Sequence, residues 1–175
     1  MSQATPQLQG LPPLLHAKTR LVVLGSFPGV ASLRAQQYYG HPYNQFWKIV
    51  ATLLATDTAN ATVVMAMPYA DRAQWLLRQG VGLWDVYAAC EREGSLDMAI
   101  QHAQLNDVQS LRTLCPALQA IAHNGGESFK HAKHTRTLGL PVYRLPSTSP
   151  ANASWSFERK LAAWREVFQA AGLLP

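Results

Sequence analysis

Cysteine is scarce in this chain: Cys90 and Cys115 are the two present, far apart and each inside an apolar stretch. They supply neither metal-ligand spacing nor a disulfide framework, so core packing is their expected role and no metal site is expected. No run approaches the ~18 uninterrupted apolar residues of a membrane-crossing helix. The polar start, Met1 to Gln9, lacks the apolar centre of a secretion signal. A soluble, cytoplasmic protein with no membrane partner is the expectation. Neither Gly-x-Gly-x-x-Gly nor Gly-x-x-x-x-Gly-Lys-Ser/Thr occurs, which counts against a nucleotide-binding or redox α/β protein. Ser147 and Ser149 lack a nucleophile elbow, so a hydrolase built on a Ser-His pair is not supported. No internal repeat or low-complexity tract breaks the chain.

What is present suits one domain. The 175 residues are 48% hydrophobic, enough for a single sizeable core at the usual ~100–200 residues per domain. Residues 1–15, rich in Pro, Gln and Gly, read as a flexible arm, and residues 16–175 as the domain. Fifteen Lys and Arg against ten Asp and Glu give a formal charge of +5. That balance favours a polyanionic partner without requiring one.

Strand and helix patterns alternate. Arg20-Leu-Val-Val-Leu24 is a β-branched run emptying into Gly25-Ser-Phe-Pro-Gly29, as a buried strand empties into a tight loop. Asn44 to Leu54 carries Phe46, Trp47, Ile49, Val50, Leu53 and Leu54 at helical spacing after Pro42. A helix over Ala70 to Gln79 stops at Gly80, and Gly82-Leu-Trp-Asp-Val86 follows as a strand. Asp107 to Leu114 reads as a helix capped by Asn106 or Asp107 and halted before Pro116. Leu118-Gln-Ala-Ile-Ala122 is a strand opening at His123-Asn-Gly-Gly126 into a helix over Glu127 to Thr135. Pro141-Val-Tyr-Arg-Leu145 is the last strand, and Pro146-Ser-Thr-Ser-Pro150 a rigid polar loop before an amphipathic helix from Ser154 to Ala171. The alternation predicts an α/β fold, a three-layer αβα arrangement with a central, mostly parallel sheet. Such sheets bind ligands at the carboxyl ends of their strands. There the loops at Gly25, His123 and Pro146 would meet.

Three segments carry the chemistry. Gly25-Ser-Phe-Pro-Gly29 lets backbone approach a ligand, although plain strand-to-loop punctuation looks the same. Gln36-Gln-Tyr-Tyr-Gly-His-Pro-Tyr-Asn-Gln-Phe-Trp47 crowds aromatic rings, amides and an imidazole outside any regular element. Phe46 and Trp47 suit the core, which leaves Tyr39 and Asn44 as candidate functional groups. His123-Asn-Gly-Gly126 could present Asn124 to the edge of a base, because an amide both donates and accepts, or it could be an ordinary turn. His41 and His123 read as structural hydrogen-bonders. Lys130, His131, Lys133, His134 and Arg136 form a basic cluster outside the site.

Taken in order, Gly25-Ser-Phe-Pro-Gly29, then Gln37-Tyr-Tyr-Gly-His-Pro42 with Asn44 and Phe46-Trp47, then Leu145-Pro-Ser-Thr-Ser-Pro-Ala-Asn152 resemble the uracil-DNA glycosylase superfamily. The resemblance spans about Leu21 to Trp164 and is closest to the hypoxanthine-DNA (deoxyinosine) glycosylase branch, which Trp84-Asp85 and Glu91-Arg-Glu-Gly-Ser95 also match. The mismatch-specific uracil and thymine glycosylases are similar but carry Gly-x-Asn-Pro-Gly in the first loop. Phe27 stands here in place of that water-positioning asparagine.

The resemblance implies a monofunctional DNA glycosylase, without metal or cofactor. It would hydrolyse the N-glycosidic bond of a flipped deaminated base in base excision repair, hypoxanthine first, with uracil or xanthine as further substrates. Its partner would be DNA, double- or single-stranded, and the protein a monomer, nucleoid-associated in a prokaryote. Asn44 would take over catalysis by orienting water, with a helix N-cap as its other reading. Tyr39 would stack on the base, with Gly25, Ser26 and Phe27 closing the other side and Asn124 reading its edge. Pro146, Ser147, Thr148 and Ser149 would grip phosphate and enter the duplex, or form only a tight turn. Asp85 reads either as a loop brace or as a general base near the sugar. The iron-sulfur members need four cysteine ligands, and two cysteines cannot supply them. A lesion-binding module without catalysis is the alternative, because Phe27 cannot polarise water.

Overall fold

The computed structural model describes residues 3–175. The chain begins with strand β1 (Gln7–Gln9), then β2 (Leu21–Gly25), α1 (Val30–Ala35), α2 (Phe46–Leu54), α3 (Thr58–Ala66) and α4 (Tyr69–Arg78). Next come β3 (Val81–Asp85), β4 (Tyr87–Glu91), β5 (Gln101–Leu105), α5 (Leu111–Leu114) and β6 (Ala120–Asn124). Short helices α6 (Gly126–Phe129) and α7 (Ala132–Arg136), strand β7 (Val142–Leu145) and helix α8 (Phe157–Ala170) complete it.

Strands β3, β2, β6 and β7 form a parallel sheet in that order. Leu21 and Val23 face one apolar cluster with Phe46, Ile49 and Val50 of α2, Leu76 of α4, and Trp164 and Phe168 of α8. Val22 and Leu24 face the opposite cluster, which holds Leu111, Cys115, Leu118 and Leu138. Successive strand residues point to opposite faces, so a strand buried on both sides must be apolar throughout, as β2 is. Helices therefore cover both faces, giving the three-layer αβα arrangement. Cys90 and Cys115 are buried thiols within the second cluster.

Several elements differ from the sequence expectation. The stretch expected as a flexible arm is packed: β1 pairs antiparallel with β4, Leu11 is buried, and Leu14 bridges Leu83. β4 and β5 pair antiparallel in a second, three-stranded sheet with β1. Gln101–Leu105 is exposed along its whole length, so it shows no apolar alternation. The helix expected over Asp107 to Leu114 is a 3-10 turn, Val108–Ser110, followed by the single turn α5. Neither expected cap forms: Asp107 at the cap position makes no side-chain bond to the turn, and the Asn106 amide donates to the Asp85 carbonyl at 2.8 Å. The helix expected over Glu127 to Thr135 breaks into α6 and α7, which present Ser128 and Thr135 to the two ring nitrogens of buried His123, each at 2.8 Å.

Candidate active site

The parallel register places Gly25 beside Asp85 and Asn124 beside Leu145, so β2, β3, β6 and β7 all end at one edge. A cleft of about 980 Å³ opens over these ends, at the upper end of the usual ligand-site range. Its rim is made by the loop after β2, the Tyr39–Asn44 segment, the turn at Ser95–Met98 and the loop after β7.

Asp85 lies in the floor of the cleft and is 5% exposed. A Cβ on Gly25 would stand 2.5 Å from Asp85 Oδ1 and 3.4 Å from the Tyr39 hydroxyl. The glycine is thus required by close approach, and any side chain there would displace the carboxyl. Asp85 Oδ2 is buried with no hydrogen-bond partner in the protein, a state that costs about 1–3 kcal/mol for a neutral group and more for a charged one. Burial, then the nearby Asp97 carboxyl, push the Asp85 pKa up to about 7, with Arg92 opposing.

Tyr39 has a left-handed backbone, φ 53°, a rare conformation for a bulky residue that marks functional segments. Its ring stacks on Phe46 at 4.2 Å between centroids. Its hydroxyl accepts from Asn124 Nδ2 at 3.2 Å. Burial, reinforced by Asp85, drives its pKa upward, so the phenol stays protonated.

Asn124 also donates to Thr148 Oγ1 at 3.0 Å and accepts from the Thr148 amide at 3.1 Å. Its amide is used to brace Tyr39 and the loop after β7, not left open to read a base edge. Thr148, expected among the DNA contacts, is turned inward and 1% exposed. Its carbonyl accepts from the Gln45 amide. Ser147 and Ser149 hydroxyls accept from the amides of Ser149 and Ala151, while the Pro146 carbonyl accepts from Trp164 Nε1. The loop is therefore both a preorganised turn and part of the cleft wall.

Asn44 is half-buried and lines the cleft. Its Oδ1 accepts from the Phe46 amide at 2.9 Å, a turn bond of an asparagine one residue before the cap position of α2, which is Gln45, so the N-cap reading does not hold. The second lone pair of Oδ1 and the Nδ2 hydrogens remain as what it can offer a ligand. Phe27 also contributes to the cleft, but its ring is buried in the second core cluster beneath the Arg92 guanidinium. Ser26 Oγ donates to Asp97 Oδ1 at 2.6 Å, and the Val30 amide donates to Ser95 Oγ at 2.9 Å. These bonds lace the first loop to the 95–97 turn.

Arg144, Leu96, Asp97 and Met98 are among the cleft residues that the sequence did not mark. Arg144 is exposed near the end of β7, where alternation reads it only as an outward strand residue. Leu96 and Met98, 53% and 88% exposed, sit on a turn that no periodicity marks. His123 is wholly buried, and burial lowers its pKa to about 4, so it is a neutral structural bridge. His41 accepts the Tyr43 amide hydrogen at Nδ1. Lys130 pairs with Glu127 at 2.6 Å, outside the cleft.

Comparison with known proteins matches residues 12–169 to the family described as the uracil DNA glycosylase superfamily. Two relatives named hypoxanthine DNA glycosylase, from Methanosarcina barkeri and Methanosarcina acetivorans, are 34% and 35% identical over 161 residues. Each alignment covers 92% of this chain and 98% of the relative. A solution NMR structure from Methanosarcina acetivorans, described as a candidate uracil DNA glycosylase, superposes with a TM-score of 0.82 at 34% identity. That superposition covers 95% of this chain and 99% of the other.

Proposed function

The chain belongs to the uracil DNA glycosylase superfamily and is a DNA glycosylase; on that premise we propose that it excises a deaminated base, hypoxanthine first, from DNA in base excision repair. One observation carries the reading: Asp85, Tyr39 and Asn44 converge on a cleft at the carboxyl edge of the sheet, in a chain aligned almost end to end with proteins named for hypoxanthine. No lysine lines that cleft among the described residues. Water is therefore the nucleophile in this reading, and an abasic site the product.

The nucleotide must leave the helix to reach this depth, at a cost of a few kcal/mol that is least for a poorly paired base. Tyr39 supplies an aromatic wall already fixed by Phe46 and Asn124. Cleavage develops positive charge on the sugar and asks mainly for oriented dipoles and a placed water. Asn44, held by its bond to the Phe46 amide, offers that water a fixed carbonyl lone pair and the sugar an amide donor. Ser147, Ser149 and Arg144 line the same cleft and supply donors for phosphate in this reading.

The test uses labelled duplexes carrying hypoxanthine, uracil or xanthine, followed by hot alkali to break abasic sites. Cutting at hypoxanthine that collapses in Asn44→Ala is the expected result. A second reading, a lesion-binding module, is favoured by the structural bond that Asn44 Oδ1 makes with the Phe46 amide. Binding without cutting of any duplex or single strand would establish that reading and remove the first.

A further inference from the structure

Within the cleft floor, the Asp85 carboxyl is a polar group with an oxygen the protein leaves unpartnered. Oδ1 lies against Gly25, and Oδ2 is buried without a hydrogen bond. The charged and titratable groups that face it are Asp97 of the 95–98 turn, Arg92 just beyond β4, and the phenols of Tyr39 and Tyr38. Arg92 is held by the carbonyls of Pro28 and Gly94, and Asp97 accepts from Ser26. Neither satisfies Oδ2. Buried polar atoms in native proteins nearly always have partners, so a carboxyl left with an unpartnered oxygen on a residue that lines the cleft points to a partner supplied by the ligand.

Resting on the glycosylase reading above, we propose that Asp85 is a catalytic acid: as a neutral carboxylic acid it donates a hydrogen bond to N7 of the flipped purine and delivers that proton as the C1′–N9 bond breaks. The bonding pair of C1′–N9 passes into the ring, and the proton from Asp85 lands on N7, so the base departs neutral. Water adds to C1′ and releases a proton to solvent. Solvent returns a proton to the Asp85 carboxylate, which closes the cycle.

Position decides between acid and base. Asp85 is on the floor, whereas Asn44 is half-buried near the rim. A flipped nucleotide enters base first, with its sugar and phosphates toward the mouth, so the floor meets the ring and the rim meets C1′. The edge of a purine carrying N7 and O6 is purely accepting, whereas the corresponding edge of uracil has no ring nitrogen. A neutral carboxyl at that edge therefore selects purines. With its pKa raised to about 7, Asp85 holds its proton over a useful fraction of neutral solution, as an efficient acid must.

The experiment measures single-turnover cleavage from pH 5.5 to 9 on duplexes with hypoxanthine or 7-deazahypoxanthine, using the whole chain and its Asp85→Asn variant. Asparagine keeps the shape and a hydrogen-bond donor but transfers no proton. The wild-type rate on hypoxanthine should be level below about pH 7 and fall above it. Asp85→Asn should be slower by about 10²–10³-fold and lose that pH dependence. The 7-deaza base, which has no N7 acceptor, should be cut slowly and equally by both proteins. A wild-type rate that falls below pH 7 instead would make Asp85 a carboxylate base and overturn the proposal, as would Asp85→Asn cutting hypoxanthine at the wild-type rate. If the wild type cut no hypoxanthine duplex at all, the glycosylase reading would fail and take the proposal with it.

Discussion

Asn124 holds Thr148 through both halves of its amide, donating to Oγ1 at 3.0 Å and accepting from the backbone N–H at 3.1 Å. The third bond of the same amide fixes the Tyr39 hydroxyl, and the Thr148 carbonyl in turn accepts from Gln45 at the start of α2. One buried side chain thus joins the end of β6, the aromatic wall and the last loop.

Asn124→Ala should therefore weaken DNA binding more than it slows the chemical step. It leaves the buried Thr148 amide and hydroxyl unpaired, which costs about 1–3 kcal/mol of stability. Anisotropy with an uncleavable hypoxanthine analogue, alongside thermal melting, checks both. If Asn124 read the base directly, the variant would instead lose discrimination between hypoxanthine and uracil while melting normally.

Asn44 has two jobs that substitution can separate. A carboxylate oxygen accepts as an amide oxygen does, so Asn44→Asp should keep the turn bond to the Phe46 amide and melt near the wild type. Asn44→Ala should lose about 0.5–1.5 kcal/mol with that bond. Both should cut hypoxanthine far more slowly, by about 10²-fold or more for alanine, if the amide orients water and sugar. Activity that follows stability across the pair would reduce Asn44 to a structural brace at the start of α2.

The fold was legible where periodicity is strong. The all-apolar β2 and the stripe of Phe46, Ile49, Val50 and Leu53 announce a strand buried on both faces and a helix packed on it. The β4–β5 pairing was not legible, because Gln101–Leu105 is held by a ladder to its neighbour and not by an apolar face. Tyr39, Asn44 and the three loops were legible as a group because their chemistry is out of place in a core. Individual roles were less so. Sequence shows that Asn124 and Thr148 are polar, but only the register of β6 against β7 shows that they face each other. Asp85 was legible as a residue at a strand end, while its lack of a partner is a property of packing alone.

The exposed apolar side chains on the cleft rim point to where a duplex is opened. The loop after β7, which the resemblance assigns to wedging, brings Pro146, Pro150, Ala151 and the half-buried Trp155 to the cleft, whereas Met98 on the 95–98 turn is 88% exposed. Apolar wedges enter between base pairs and offset the cost of unstacking. Met98→Ala should cut a hypoxanthine duplex about tenfold more slowly and leave single-strand cutting unchanged. Equal slowing on both substrates would place Met98 in the base pocket and not in the stack.

The buried carboxyl of Asp85 has a cost in stability whose sign depends on pH. Its pKa is about 7 in the folded chain against an ordinary 3.8, so the fold binds its proton more tightly than the unfolded chain does. The stabilisation from that proton is complete below about pH 4 and is lost as pH rises through 7, leaving an ionised, unpartnered group above it. Asp85→Asn has nothing to ionise. It should therefore be more stable than the wild type at pH 8 by on the order of a few kcal/mol, with the gap closing toward pH 4. His123 titrates in the opposite sense, its pKa lowered to about 4 from 6.5, and destabilises both proteins together as pH falls below 6.5. The comparison between variants cancels that contribution. A stability gap that grew at low pH would mean that Asp85 is a paired carboxylate, while a gap that opens at high pH, with cleavage reduced, would show a group kept for the reaction at the expense of the fold.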